Sequence, residues 1–198
     1  TTPSEGGAAW DACMTVNFAP NWANVHRSVA DKSVGQLLFH LMEAVRNGGN
    51  FLLNVGPDER GYVCARDGEK LATLGAWLER HGEAVYETRP GRIYESARQG
   101  ACYHYGMFTV RGRTAYLTLF YYPKQYLVLS KIGGNLKRAE IHGSGTPLEV
   151  IPLRNGRFRI DGLPLEPSDP LAAVLKLEFE EEPYLIHYSG ASWLDGEL

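Results

Sequence analysis

Few features of this 198-residue chain point toward metal, nucleic acid or membrane. It has three cysteines, Cys13, Cys64 and Cys102, an odd number without CxxC spacing, which argues against a disulfide framework or a zinc knuckle. Buried free thiols are the expectation. No cluster of Lys and Arg is longer than Lys137-Arg138, and the net charge is -3, so no nucleic-acid-binding surface is expected. No apolar run approaches the roughly 18 residues that a membrane span needs. The six histidines show no HxH or HExxH spacing, so no metal site is expected. The glycines form neither GxGxxG nor a P-loop, so no phosphate cradle and no cofactor are expected either. There is no initiator Met, charged n-region or apolar h-region at Thr1-Thr2-Pro3, and the chain is expected to begin inside a longer product or after processing.

What the chain does have is two different hydrophobic periods, separated near Arg89-Pro90-Gly91. Before that break, strand and helix alternate. Residues 12–17 form a strand candidate, and Val34, Leu37, Leu38, Leu41, Met42 and Val45 recur at helical spacing. Ser33 with Gln36 fits a capping box, and Gly48 suits a left-handed stop. Phe51 to Val55 reads as a buried parallel strand. A second helix is predicted from about Glu69 to Arg80, capped by Asp67 and stopped by Gly82. After Gly91 the helices end. Residues 107–111, 114–121, 126–131, 137–142, 148–153 and 171–179 read as strands, and Asn155-Gly156 as a two-residue hairpin turn. The expected class is therefore α/β followed by all-β, the second part an antiparallel β-sandwich.

Three strings are more specific than period. Trp10-Asp11-Ala12-Cys13-Met14-Thr15-Val16-Asn17, with Trp22 after it, resembles W-E-x-C-x-T-I-N followed by W-G-Y in the α-L-fucosidases, retaining glycoside hydrolases of family twenty-nine. Asn47 to Pro57 is similar to that family's G-G-N-x-L-L-N-x-G-P, which closes the final barrel strand. Leu74-Gly75-Ala76-Trp77-Leu78, then His81-Gly82-Glu83-Ala84-Val85-Tyr86, is similar to its last barrel helix. The resemblance spans about residues 8–180. It implies a partial (β/α)8-type barrel remnant over residues 1–90 and a β-sandwich over 91–198, since a whole barrel takes about 250 residues.

The resemblance also implies the reaction, hydrolysis of terminal α-L-fucosyl linkages in glycans. Retaining hydrolysis needs two carboxyl groups about 5–5.5 Å apart. The family's nucleophilic Asp lies upstream of this chain, so an upstream polypeptide or another subunit would have to supply it. Asp11 stands where many members carry a Glu at or near the acid/base position; being a methylene shorter, it falls short by roughly 1.3–1.5 Å, and a misplacement of about 1 Å costs about 10²-fold. Glu5, on the preceding segment, is the second acid/base candidate. For either carboxylate the alternative is a solvated loop group or a hydrogen-bond anchor for a neighbouring strand. Trp22, two residues later than the family spacing, is the candidate wall of the sugar pocket, or else a loop Trp. Asn17 at a strand end either binds substrate or caps its own turn. Trp77 reads as core or domain-interface packing. The other functional class is a non-catalytic carbohydrate- or partner-binding sandwich module.

Overall fold

The computed structural model describes residues 10–18, 31–90, 105–154 and 156–186. Its first part is a strand–helix–strand–helix unit. Strand β1 (Asp11–Thr15) pairs in parallel with β2 (Asn50–Asn54), Asp11 opposite Asn50 and Thr15 opposite Asn54. Between them runs α1 (Val34–Arg46), whose Ser33–Gln36 capping box is complete. Gly48 then takes φ +76°, the left-handed turn that lets the chain reverse into β2. At Gly49 the requirement is space: a Cβ there would lie 2.4 Å from the Trp10 ring.

Helix α2 (Ala65–His81) starts earlier than its periodicity predicts, at Cys64, which makes no side-chain cap bond. Asp67 is therefore inside the first turn, buried, rather than the cap. Gly82 does not stop the helix through a left-handed turn either; its φ is -58°, and the chain tightens into a 3-10 turn over Gly82–Ala84.

The second part is antiparallel throughout. Its strands are β3 (Gly106–Arg111), β4 (Thr114–Leu119), β5 (Gln125–Leu129), β6 (Ile132–Gly133), β7 (Leu136–Ile141), β8 (Thr146–Leu153), β9 (Arg157–Leu163), β10 (Ala173–Phe179) and β11 (Tyr184–Leu185). Seven of them form one sheet in the order β3-β4-β10-β7-β8-β9-β5. The antiparallel part expected from the sequence is thus a curled sheet of seven strands, with β6 and β11 forming a separate antiparallel pair. The reason lies in β8, which pairs with β7 through Thr146–Leu148 and with β9 through Glu149–Leu153. The curl brings strands from the two ends of the sheet together, so Phe108 of β3 and Leu127 of β5 share one core with Leu117, Ile160 and Leu175. The β8–β9 hairpin closes at Leu153 opposite Arg157, which leaves three residues in its loop rather than two.

The helices pack on the outer face of this sheet. Leu37, Leu38, Met42 and Trp77 form a second core with Met107, Tyr116 and Val174. Strands β3, β4 and β10 are consequently buried on both faces. That is why Tyr116 and Thr118, on the polar side of the β4 alternation, are buried too. Thr109 Oγ1 donates to the Ala84 carbonyl at 2.6 Å, satisfying a hydroxyl trapped between helix end and sheet.

Trp77 anchors the junction. It is fully buried, and its Nε1 donates to the Ala172 carbonyl at 2.8 Å. Trp77→Ala is expected to cost about 3–5 kcal/mol in urea unfolding, through a large cavity and an orphaned carbonyl. Trp77→Phe, which keeps most of the ring volume, should cost less.

Candidate functional site

The two faces of the β1–β2 pair have different environments. Ala12, Met14, Phe51 and Leu53 alternate onto one face, and Phe51 and Leu53 pack toward α1 and the second core. Asp11, Cys13 and Thr15, with Asn50, Leu52 and Asn54, alternate onto the other. There Leu52 is 57% exposed and Cys13 is exposed. Two expectations change as a result. The Phe51–Val55 strand is covered on one face only: Phe51 and Leu53 pack against the second core, while Leu52 on the other face is exposed. Of the thiols, Cys13 is exposed and Cys64 half-buried, while Cys102 lies outside the described residues.

Asp11 sits at the start of β1. Its Oδ1 accepts a 3.0 Å hydrogen bond from Asn50 Nδ2, and next to it the Trp10 carbonyl accepts from Asn50 N–H at 2.9 Å. Thr15 is four residues on, about 13 Å along an extended strand. Asn17 lies beyond it, so Asp11 and Asn17 occupy opposite ends and the structure does not bring them together. Asn17 is buried and forms an isolated bridge with Asp31. Glu5 and Trp22 lie outside the described residues.

The C-terminal end of β1 carries a charged cluster with no motif to announce it. Lys32 Nζ donates to the Thr15 carbonyl at 2.8 Å and to the Asn17 carbonyl, and lies 4.6 Å from the Phe18 ring centroid. Burial, with the nearby positive charge of Lys70, pushes the Lys32 ammonium below its ordinary value. Asp31 meets Arg66 at 2.9 Å and Lys70 at 3.2 Å, while Asp67 meets the same Lys70 at 3.6 Å. Two carboxylates are therefore side by side, but both are engaged by cations. Three cations, Lys32, Arg66 and Lys70, thus surround two carboxylates, and the cluster ties α2 to the segment that follows β1. Lys32 stands just before the capping box in a stretch with no periodic or motif signal, so only the fold reveals it.

A cleft of about 580 Å³ opens beside β2, lined largely by apolar side chains of α1, β2, α2 and the 85–90 segment, among them Leu41, Val45, Phe51, Leu74 and Leu78. Among the described residues, no group of three or more His, Cys, Asp or Glu could hold a metal ion, and no helix is long and apolar enough to cross a membrane.

Comparisons with known proteins agree on one family. Residues 2–83 match the family model described as α-L-fucosidase. The tissue α-L-fucosidase of Bos taurus is 31% identical over 124 residues, covering 62% of this chain and 25% of that protein. That of Mus musculus is 29% identical over 122 residues, covering 60% of this chain and 26% of that protein. The chain thus spans about a quarter of the length of these two relatives. Among solved structures, α-L-fucosidase isoenzyme 1 from Paenibacillus thiaminolyticus superposes with TM-score 0.75 at 22% identity, covering 87% of this chain and 40% of that one. The α-fucosidase of Thermotoga maritima gives TM-score 0.71 at 23% identity, over 86% of this chain and 40% of that one. At these identities the structural likeness establishes the fold.

Proposed function

We propose that this chain, related over part of their length to the α-L-fucosidases of glycoside hydrolase family twenty-nine, is the C-terminal portion of such an enzyme. Residues 1–90 supply the last strands and helices of a catalytic (β/α)8-type barrel, and residues 91–198 form the sandwich-like domain that follows it. The observation that supports this most is the parallel β1–β2 pair, covered by helices on one face and bare on the other. Parallel strands are stable inside larger sheets covered on both sides. The bare face, with Leu52 on it, suits the interior of a barrel, and the apolar cleft beside β2 suits packing by upstream elements.

The reaction is hydrolysis of terminal α-L-fucosyl linkages with retention, by double displacement. Of the two carboxyl groups this requires, the nucleophile comes from upstream polypeptide or another subunit, and this chain supplies the acid/base. Barrel sites gather at the C-terminal ends of the strands. Asp11 Oδ1 already accepts from Asn50 Nδ2, so of the two candidate carboxylates we assign Asp11 to strand anchoring. Glu5 takes the acid/base role, with Asn17 and Trp22 on the sugar side.

The full-length polypeptide acting on an aryl α-L-fucoside is expected to release α-fucose first, as followed by proton NMR before mutarotation. Release of the β-anomer first would contradict retention.

A further inference from the structure

Where α2 meets the sheet, two histidines from distant parts of the chain face each other. His81 Nδ1 and His142 Nδ1 are 3.0 Å apart. At the outer ends of the pair, His81 Nε2 lies 3.3 Å from Asp169 Oδ2 and His142 Nε2 lies 2.9 Å from Glu83 Oε2. Both carboxylates are fixed by other donors. Arg80 donates to Asp169 Oδ2 through Nε and Nη2 at 2.9 and 2.7 Å. Tyr116 and Lys176 donate to Glu83 Oε1 at 2.7 and 3.0 Å.

Counting protons along this chain gives an unusual result. Three contacts in series, Asp169 to His81 to His142 to Glu83, need three protons to be hydrogen bonds. Two neutral imidazoles carry only two. The carboxylates do not supply the third. The Tyr116 hydroxyl above all, with His142 and Lys176, holds Glu83 down to about 2 against the effect of burial. Burial raises Asp169, but the Leu171 N–H and Arg80 outweigh it and the net shift is downward. With two neutral rings, one of the three contacts would set lone pair against lone pair.

We infer that the His81–His142 pair holds one extra proton at neutral pH, and that this proton closes a clasp binding α2 and its 3-10 turn to the sheet. The geometry puts the cation on His142, donating from both nitrogens, to Glu83 and to His81, while His81 donates from Nε2 to Asp169. Burial first, with the charges of His142 and Arg80, lowers His81 despite Asp169, in keeping with a neutral ring there. The groups facing the pair are thus Asp169, Arg80, Glu83, Tyr116 and Lys176.

The linkage has a definite sign. Unfolded, the two rings bind two protons well below pH 6.5 and none well above it. Folded, they bind one. As pH falls below that value the unfolded state binds more and stability drops; as pH rises above it the folded state binds more, and stability drops again until the proton leaves. The clasp is tightest in a neutral window.

Glu83→Gln isolates the extra proton. The amide oxygen still accepts from Tyr116 and Lys176, and the amide N–H₂ donates to His142 Nε2, so all three contacts form with both rings neutral. The melting temperature of the full polypeptide minus that of Glu83→Gln is therefore expected to fall steadily between pH 5.5 and the point of proton release, by about 1–2 °C per pH unit. A difference that stays flat from pH 5.5 to 9 overturns the inference. Should the variant not fold, nitrogen-15 NMR of the wild-type rings decides: both His142 nitrogens protonated at pH 7 is the expected result, and two neutral rings at pH 7 the contrary one.

Discussion

Glu5→Gln in the complete enzyme is expected to lower kcat by about 10²–10⁴-fold on fucosides with alkoxide leaving groups, while Asp11→Asn stays within about tenfold of wild type. A general acid matters in proportion to how much the departing oxygen needs a proton. The Glu5→Gln loss should therefore shrink on aryl fucosides whose phenols are acidic, whereas a merely structural defect would lower all substrates alike. Asp11→Asn keeps an acceptor for Asn50 Nδ2, now from a neutral side chain, so its effect should fall on stability rather than on leaving-group dependence. Comparing the two variants over a leaving-group series separates the assignments: a steep dependence with Asp11→Asn and none with Glu5→Gln would return the acid/base role to Asp11.

The assignment rests on the hydrogen bond between Asp11 and Asn50, a contact across 39 residues that the sequence did not supply. Trp10-Asp11 and Asn17 belong to one string, but only the fold shows that they mark opposite ends of β1. Local rules were legible where a few adjacent residues decide the conformation. The Ser33–Gln36 capping box and the Gly48 turn are of that kind. Gly49 is not, since its reason, room for the Trp10 ring, is a tertiary one. Periodicity located both helices and the main strands, yet it put the start of α2 several residues late, because Ala65 to Gly68 carry no apolar stripe.

What the sequence concealed depends on contacts far apart along the chain. The alternation in β4 implied one wet face; α2 and the 3-10 turn cover that face, so Tyr116 is buried. The single curled sheet depends on β8 changing partners partway along its length, a matter of register that alternation cannot reveal. The His81–His142 contact joins a helix end to a strand end 61 residues away, and Lys32 reaches back 17 residues to Thr15. No spacing rule connects such pairs.

The other large effect concerns the chain by itself. A retaining hydrolase with one carboxyl missing keeps no route to a glycosyl-enzyme intermediate, so the 198-residue chain on its own is expected to cleave an aryl α-L-fucoside no faster than buffer. Joined to the upstream barrel polypeptide it should gain the rate of a working enzyme, at least about 10⁶-fold above the uncatalysed reaction. Glycan binding by the joined protein without any hydrolysis would instead favour the non-catalytic module. The decisive measurement is the initial rate of aryl α-L-fucoside hydrolysis by the chain as a verified monomer, with and without the upstream polypeptide. Activity only in the joined protein is the predicted result; full activity of the monomeric chain alone would show that both carboxyl groups reside within it and that the proposal is mistaken.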